Sequence, residues 1–373
     1  MNIIKELFEK DCIKTGNFRL KNGELSKYYF DMKNLVSYPK LLSKIGDRIY
    51  NMIDRDSYDI ICGVPLGGLP IASYISTTYN IPMIMVRDNV KDYGTSKLIE
   101  GVHYVNSRCL IIEDVITTGG SVQGIIDKIG DKVSVMGVAV VLDRQQGFNC
   151  SVPVKSLITK TDIVGQKMVD ITVKKNSRLC FSADIEDKEK LIKVLDDIGK
   201  HIVVCKIHYD IYNDSDESIK NALIDLSIKH DFLIMEDRKF VDISYIANRQ
   251  YNAYKNWVDL VTVMSSVSDE VIKGMSGVML VANMSNNKKW DYTLDAINLA
   301  KNNRKNVIGF ITQKRITIDG MICMTPGISL ESKRIADQNY RSINDVDTDI
   351  LIVGRGIYSY SDYIEKAKAY SLL

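Results

Sequence analysis

The sequence is poor in the features that announce several protein classes. Its 373 residues include only 6 prolines and 4 histidines, and neither charge sign dominates, with 49 basic against 47 acidic residues and a net charge of +2. So close a balance removes the electrostatic basis for binding nucleic acid or an anionic membrane surface, and small molecules remain as the natural partners. Scattered histidines argue against a zinc site. The 7 cysteines are odd in number, form no C-x-x-C pair and sit mainly inside apolar runs (Cys62, Cys109, Cys180, Cys205), where a thiol behaves as a small hydrophobe. That usage fits a reducing, cytoplasmic setting. Long apolar runs are missing too. The longest, Val133 to Leu142, is half of what a membrane span needs, and Met1 to Lys14 alternate charged with apolar residues like an amphipathic helix.

What is present divides into two patterns, as the length allows. In the first, Phe18 to Gly23 and Lys27 to Asp31 predict a turn and an aromatic strand, followed by a helix over 39–53. Tyr58 to Cys62 then read as a strand, Gly63 to Pro70 as a glycine-rich loop, and Ile81 to Val86 as another strand after a helix. Strand, loop, helix and strand in that order predict an α/β unit with a parallel sheet. The polar segment Arg87 to Gly101 has few apolar anchors and reads as a lid. Next, Arg108 to Ser121 run from an apolar strand through Glu113 and Asp114 into Thr117-Thr118-Gly119-Gly120-Ser121 and a helix. Amides and hydroxyls at a helix start suit a phosphate, and adjacent carboxylates suit sugar hydroxyls, so the pair fits a ribose phosphate. An ordinary helix cap explains the loop equally well, but not the acid pair.

The second pattern starts after residues 151–176, which read as the last edge of the first domain plus a linker. Apolar runs recur at Leu179 to Ser182, Ile202 to Cys205, Phe232 to Met235, Leu260 to Val263, Val278 to Val281, Val307 to Ile311, Met321 to Met324 and Ile350 to Val353. Eight strand-like runs separated by mostly helix-length segments predict a (β/α)₈ barrel, with its chemistry at the strands' C-terminal ends. The sixth and seventh connections are too short for full helices. At the third run, Glu236-Asp237-Arg238-Lys239-Phe240-Val241-Asp242 gather charge where a buried strand ends. Alternation puts Asp237 and Lys239 on one side, and the neighbouring run delivers Lys206, with His208 and Asp210 beyond it. Lys206, Asp237, Lys239 and Asp242 can thus form one ring of alternating charge. A solvated charge cluster at strand ends is the plain alternative.

Residues 1 to about 150 resemble orotate phosphoribosyltransferases of the type I phosphoribosyltransferase fold. Glu113-Asp114 with Thr117 to Ser121 are similar to that family's phosphoribosyl-pyrophosphate motif, Lys91-Asp92-Tyr93-Gly94 to its catalytic loop, Leu20 to Gly23 to its orotate-side turn, and Asp143-Arg144-Gln145-Gln146-Gly147 to its D-R-x-Q-G motif. The resemblance implies that Lys91 and Arg87 neutralise departing pyrophosphate and that Glu113 and Asp114 hold the ribose hydroxyls. Thr117, Thr118, Gly119, Gly120 and Ser121 then cradle the 5′-phosphate, Lys21 and Arg144 hold orotate, and Mg²⁺ arrives with phosphoribosyl pyrophosphate rather than on a protein site. The family pattern Arg-Lys is here Arg87-Asp88.

The second region resembles orotidine 5′-monophosphate decarboxylases. Lys206-Ile207-His208-Tyr209-Asp210, Glu236 to Ile243, Leu179 to Asp184, Asn283-Met284-Ser285, Thr325-Pro326-Gly327, Asp337 to Arg341 and Gly354-Arg355-Gly356 follow the family's motifs in order. The resemblance implies catalysis without a cofactor, Lys239 as proton donor, Asp237 beside the substrate carboxylate, and Lys206 and Asp242 as a rigid frame. Asp242 then crosses a homodimer interface. Asp184 is implied for ribose, Ser285 for the pyrimidine, and Gln338, Tyr340 and Arg355, with Pro326 and Gly354 in neighbouring motifs, for the rest of the nucleotide. Met264 stands where the family commonly has histidine, Asn283 replaces glutamate, and the loop from Asn286 to Lys289 is short and lysine-rich. The order of the two regions is that of bifunctional UMP synthases. A metal-dependent sugar-phosphate enzyme of the related barrel group, retention of one activity alone, and a phosphoribosyl-pyrophosphate-binding regulator are the alternatives at this stage.

Overall fold

A computed structural model describes the whole chain except residues 1, 21–22, 88–97, 149, 213–216, 286–290, 331–333 and 336–337. The chain divides into two compact units, one of Met1–Lys14 with Tyr29–Lys160 and one of Thr15–Tyr28 with Thr161–Leu373. No described helix is long and apolar enough to cross a membrane.

In the chain's first part, strands β1 (Ile13–Arg19) and β2 (Leu25–Phe30) pair with each other. The six-stranded sheet that follows contains β3 (Ile60–Gly63), β4 (Met83–Val86), β5 (Ile99–Glu100), β6 (Arg108–Ile116), β7 (Ser134–Asp143) and β8 (Val154–Thr159), in the order β5-β4-β3-β6-β7-β8. All neighbours are parallel except β4 and β5. Central strands β3 and β6 are apolar because helices cover both faces, and parallel strands so placed read as continuous hydrophobic runs. Ile60, Cys62, Cys109, Ile111, Val138 and Val140 form their buried core. Helices α1 (Ile3–Glu9), α2 (Pro39–Met52), α3 (Gly68–Tyr79) and α4 (Gly120–Ile129) belong to the same part of the chain; Pro39 starts α2, where a missing amide costs nothing. Residues 151–176 include β8, which extends this sheet beside β7, and helix α5 (Lys160–Lys175).

The second unit is a closed barrel of eight parallel strands, β9 (Leu179–Ser182), β10 (Val204–Ile207), β11 (Leu233–Phe240), β12 (Leu260–Met264), β13 (Val278–Val281), β14 (Val307–Ile311), β15 (Ile322–Pro326) and the closing strand Ile350–Val353, which pairs with β9. Each lies on one of the eight apolar runs. Among the described residues no α-helix separates β14 from β15, or β15 from the closing strand, so the trimmed connections are real. The hairpin segment Thr15–Tyr28 belongs to this unit through a buried knot at the strand starts. There Lys27 Nζ lies 2.5 Å from Asp259 Oδ2 and 3.2 Å from the Phe232 carbonyl, Tyr28 donates to Asp259 Oδ1 at 2.6 Å, and the Ile234 amide donates to Asp259 Oδ2 at 2.7 Å. Each buried polar atom of Asp259 thus meets a donor, as burial demands.

Candidate active sites

In the first unit, neighbouring strands β3 and β6 end beside each other and each leads into a helix. The loop after β3 fits only because Gly67 has no side chain: a Cβ there would stand 1.9 Å from Asp114 Oδ2. Gly119, with φ +78°, lets the chain turn into α4, and a Cβ on it would strike the Phe148 ring. Glu113 and Asp114 are both buried at the end of β6; the Asp114 amide donates to Glu113 Oε1 at 2.9 Å and the Val115 amide to Asp114 Oδ1 at 2.9 Å. Burial, reinforced by neighbouring Asp114, pushes the Glu113 carboxyl up to about 9. Thr118, Gly120 and Ser121 are exposed at the start of α4, with Thr117 half-buried and Gly119 buried. The Thr/Gly/Ser stretch thus stands at a helix N-terminus, mostly exposed and next to two acids.

Arg144 follows β7, its amide donating to the Ile116 carbonyl at 3.0 Å. Its guanidinium carbon lies 5.3 Å from the centroid of the Phe30 ring, its Nε is buried without a partner, and burial lowers its pKa. A buried donor held over an aromatic face fits an anionic planar ligand. Arg87 is placed differently from the free cation that a pyrophosphate clamp suggests. It ends up on Glu100, 2.6 Å away, because β4 and β5 run antiparallel and bring the two together. Lys21, Lys91 and Asp88 lie outside the described residues.

At the C-terminal ends of the barrel strands a cavity of about 400 Å³ is lined by Ser182, Asp184, Lys206, His208, Asp237 and Lys239 on one side, and by Ser285, Pro326, Tyr340, Gly354 and Arg355 among others. Strand β10 supplies Lys206 and β11 supplies Asp237 and Lys239; the regular alternation breaks at an irregularity between Glu236 and Phe240, where Lys239 takes φ +57° and still reaches the cavity. Lys206 Nζ is 2.6 Å from Asp237 Oδ2 and 3.6 Å from Asp184 Oδ1; Lys239 Nζ is 3.0 Å from Asp237 Oδ2. Burial opposes ionisation of Asp237, but Lys206, His208 and Lys239 outweigh it and hold the carboxyl well below the usual range. For Lys206, burial is outweighed in turn by Asp237 and Asp184, which raise its pKa. The centre is a fixed carboxylate between two ammonium groups.

Thr262, a residue the sequence reading did not single out, fastens this centre. Its hydroxyl donates to Asp237 Oδ1 at 2.9 Å and accepts the Lys239 amide at 3.0 Å, steadying Lys239 at φ +57°. A lone hydroxyl within the apolar run Leu260 to Val263 was the available signal. Glu236, fully buried one residue before Asp237, accepts the Tyr209 amide through Oε2 at 3.0 Å and is pushed up to about 8 by burial. His208, Asp210 and Glu236 bring ligand-type atoms within 4.8 Å of one another, but cations already stand there, Lys206 at 3.3 Å from the His208 ring and Arg238 at 3.4 Å from Asp210.

Asp242 does not complete a ring within one chain. β11 stops at Phe240, so Asp242 is exposed two residues further on, and its carboxylate accepts the Ile243 amide at 2.7 Å. The correction follows from strand length: β11 carries side chains to the mouth only as far as Phe240. Among the positions that depart from family motifs, Met264 ends β12, and Asn283 lines the cavity while donating to Asp291 at 2.9 Å. The side chain of Gln338 and the loop 286–290 lie outside the description.

A sheet whose Thr/Gly/Ser loop opens a helix beside two acids, followed by a barrel with a lysine–aspartate–lysine mouth, defines an α/β protein with two separate candidate sites. Residues 31–161 match the family described as "Phosphoribosyl transferase domain", and residues 177–370 the family described as "Orotidine 5'-phosphate decarboxylase / HUMPS family". "Uridine 5'-monophosphate synthase" of Bos taurus is 30% identical, the match covering 99% of this chain and 95% of the relative; that of Caenorhabditis elegans is 27% identical, covering 99% and 94%. "Orotidine 5'-phosphate decarboxylase" of Pichia kudriavzevii is 35% identical over 56% of this chain and 91% of its own length. The chain belongs to the uridine 5′-monophosphate synthase family.

Proposed function

We propose that the chain carries out two consecutive steps of pyrimidine biosynthesis: orotate and phosphoribosyl pyrophosphate give orotidine monophosphate and pyrophosphate, and orotidine monophosphate then loses CO₂ to give UMP. The observation that carries this reading is the Lys206–Asp237–Lys239 array at 2.6 and 3.0 Å in the barrel mouth. Breaking the bond between pyrimidine C6 and the carboxylate leaves an electron pair on C6 with no evident sink. Lys239 is assigned to stabilise that charge and then protonate C6. Asp237 is assigned a place beside the substrate carboxylate, where like charge disfavours the bound ground state. Lys206 and Thr262 hold both in position, so the stabilising charges need no rearrangement during reaction. Asp184 is assigned to ribose, Ser285 to the pyrimidine, and Tyr340, Arg355 and Gln338 to the phosphate, with Pro326 and Gly354 shaping the pocket. Phosphate contacts remote from C6 contribute binding energy to the reaction.

For the transferase we assign Glu113 and Asp114 to the ribose hydroxyls, Thr117 to Ser121 to the 5′-phosphate, Lys21 and Arg144 to orotate, and Lys91 and Arg87 to pyrophosphate, for which Arg87 must exchange its bond to Glu100. Mg²⁺ bound with phosphoribosyl pyrophosphate supplies charge neutralisation, and the carboxylate donors of Glu113 and Asp114 suit its neighbourhood. Residues 1–150 are assigned to the transferase and 177–373 to the decarboxylase, with 151–176 giving an edge strand and a connecting helix. We assign a cytoplasmic homodimer in which Asp242 enters the partner's mouth. Exposed Val241, Ile243 and Tyr245, at 61, 68 and 68% exposure around Asp242, support an interface there. Supplying orotate, phosphoribosyl pyrophosphate and Mg²⁺ and identifying the nucleotide tests the reading: UMP is expected, and absence of UMP from supplied orotidine monophosphate overturns the barrel assignment.

A further inference from the structure

We infer that Gln313 is a positioning residue for the decarboxylase pocket, aligning the segment that carries Tyr340 with the ends of three barrel strands. The inference rests on the reading of the barrel mouth as a nucleotide site. Gln313 follows β14 and is absent from the cavity lining, so it acts through others. Its Nε2 donates to the Pro326 carbonyl at 3.2 Å, at the end of β15. Its Oε1 accepts Arg341 Nη2 at 2.9 Å while its carbonyl accepts Arg341 Nη1 at 3.0 Å, a two-pronged grip on one guanidinium. Its amide reaches Asn283 Oδ1 at 3.3 Å, beyond the end of β13.

Each end of this junction is next to the pocket. Asn283, Pro326 and Tyr340 line the cavity, and Arg341 immediately follows Tyr340. The Arg341 amide donates to the Gly327 carbonyl at 2.9 Å, starting a short pairing in which Ile328 faces Arg341. That backbone contact fixes the segment at one point. Rotation about it is limited by the guanidinium grip on Gln313, since a planar fork with two acceptors has one favoured orientation. Connections this short, without a helix to pack them, need side-chain bonds of this sort. Asn283 takes part because an amide both donates to Asp291 and accepts from Thr312 and Gln313, which an ionised carboxylate cannot do.

The test compares wild type with Gln313→Ala, Gln313→Glu and Arg341→Met, using supplied orotidine monophosphate, with UMP and uridine as binding probes. Loss of the grip in Gln313→Ala is expected to raise KM roughly tenfold, the effect of one lost charge-assisted hydrogen bond. UMP binding weakens with it, uridine binding stays, and kcat falls less than kcat/KM. Gln313→Glu retains an acceptor for Arg341 and recovers part of the loss; combining Gln313→Ala with Arg341→Met adds little to either alone. UMP and uridine binding falling equally, or a KM unchanged in Gln313→Ala, overturns the proposal. Uridine binding at wild-type strength, measured on the barrel that carries the substitutions, confirms that the variants are folded. A wild type that leaves orotidine monophosphate untouched overturns both the nucleotide reading and this inference.

Discussion

The two sites handle buried charge in opposite ways. In the barrel mouth Asp237 is buried yet held ionised, because Lys206 and Lys239 stand 2.6 and 3.0 Å from it. At the end of β6, burial raises the Glu113 carboxyl to about 9, and the acid beside it, Asp114, adds to the rise where a cation would oppose it. The first site carries its counter-charges within the protein; the second leaves its acids for a partner to satisfy. That contrast matches the chemistry assigned to each. A decarboxylation without a cofactor depends on charges fixed before the substrate arrives, whereas a transferase substrate that brings hydroxyls and a bound cation supplies the missing partners itself.

The sharpest way to break the contrast is to remove a charge from the barrel array. Lys239→Ala is expected to lower decarboxylation at least about 10⁴-fold, since the general acid and a stabilising charge go together, and to leave orotidine monophosphate formation intact. Measuring both reactions on one preparation decides it; UMP formation at the wild-type rate ends the assignment of Lys239. Asp237→Asn is expected to act on stability as well as rate. It leaves Lys206 and Lys239 without their shared counter-charge, only Asp184 remaining 3.6 Å from the buried Lys206, at a cost of about 1–3 kcal/mol, readable as a lower denaturant midpoint. A midpoint equal to wild type means that water reaches the pair.

These centres were legible to different degrees for physical reasons. All eight barrel strands could be read because parallel strands buried on both faces are continuous apolar runs. The acid pair and its Thr/Gly/Ser loop were legible because strand end and helix start are adjacent in sequence. Three things were hidden. Strand β11 continues to Phe240 through four charged residues, of which Asp237 and Lys239 line the mouth, so the apolar pattern stops at Met235 while the strand does not. Lys27, placed by the sequence only at the start of an aromatic strand, is buried in the second unit by Asp259, far away in sequence. Asp242 reads as a member of the ring by spacing alone, and spacing ceases to mean direction once a strand ends. Two of these turn on where β11 ends, and for Lys27 the deciding partner is distant in sequence.

Thr262 offers a milder change. Thr262→Val keeps the shape but removes the donor to Asp237 Oδ1 and the acceptor for the Lys239 amide. A loss of about 1–3 kcal/mol is expected, with decarboxylation falling and transfer unchanged. Should both reactions keep their rates, the two lysines alone hold Asp237.

The pH dependence of stability sharpens the contrast most finely. Glu113 has a folded pKa of about 9 against an ordinary value of 4.5, so between those limits the native state holds a proton that the unfolded chain has released. Stability from this group is therefore fully present below pH 4.5 and is lost as pH rises toward 9, with a slope of at most about 1.4 kcal/mol per pH unit. Asp237 behaves oppositely: its carboxyl lies below the ordinary 3.8, so its contribution is present above that value and is lost in acid. Glu113→Gln is expected to flatten the alkaline side of the stability profile, measured from pH 6 to 9, while the acid side keeps its wild-type slope. Parallel profiles for the variant and wild type over that range mean that Glu113 is already ionised, and the difference between the two sites then lies in their partners and not in their protons.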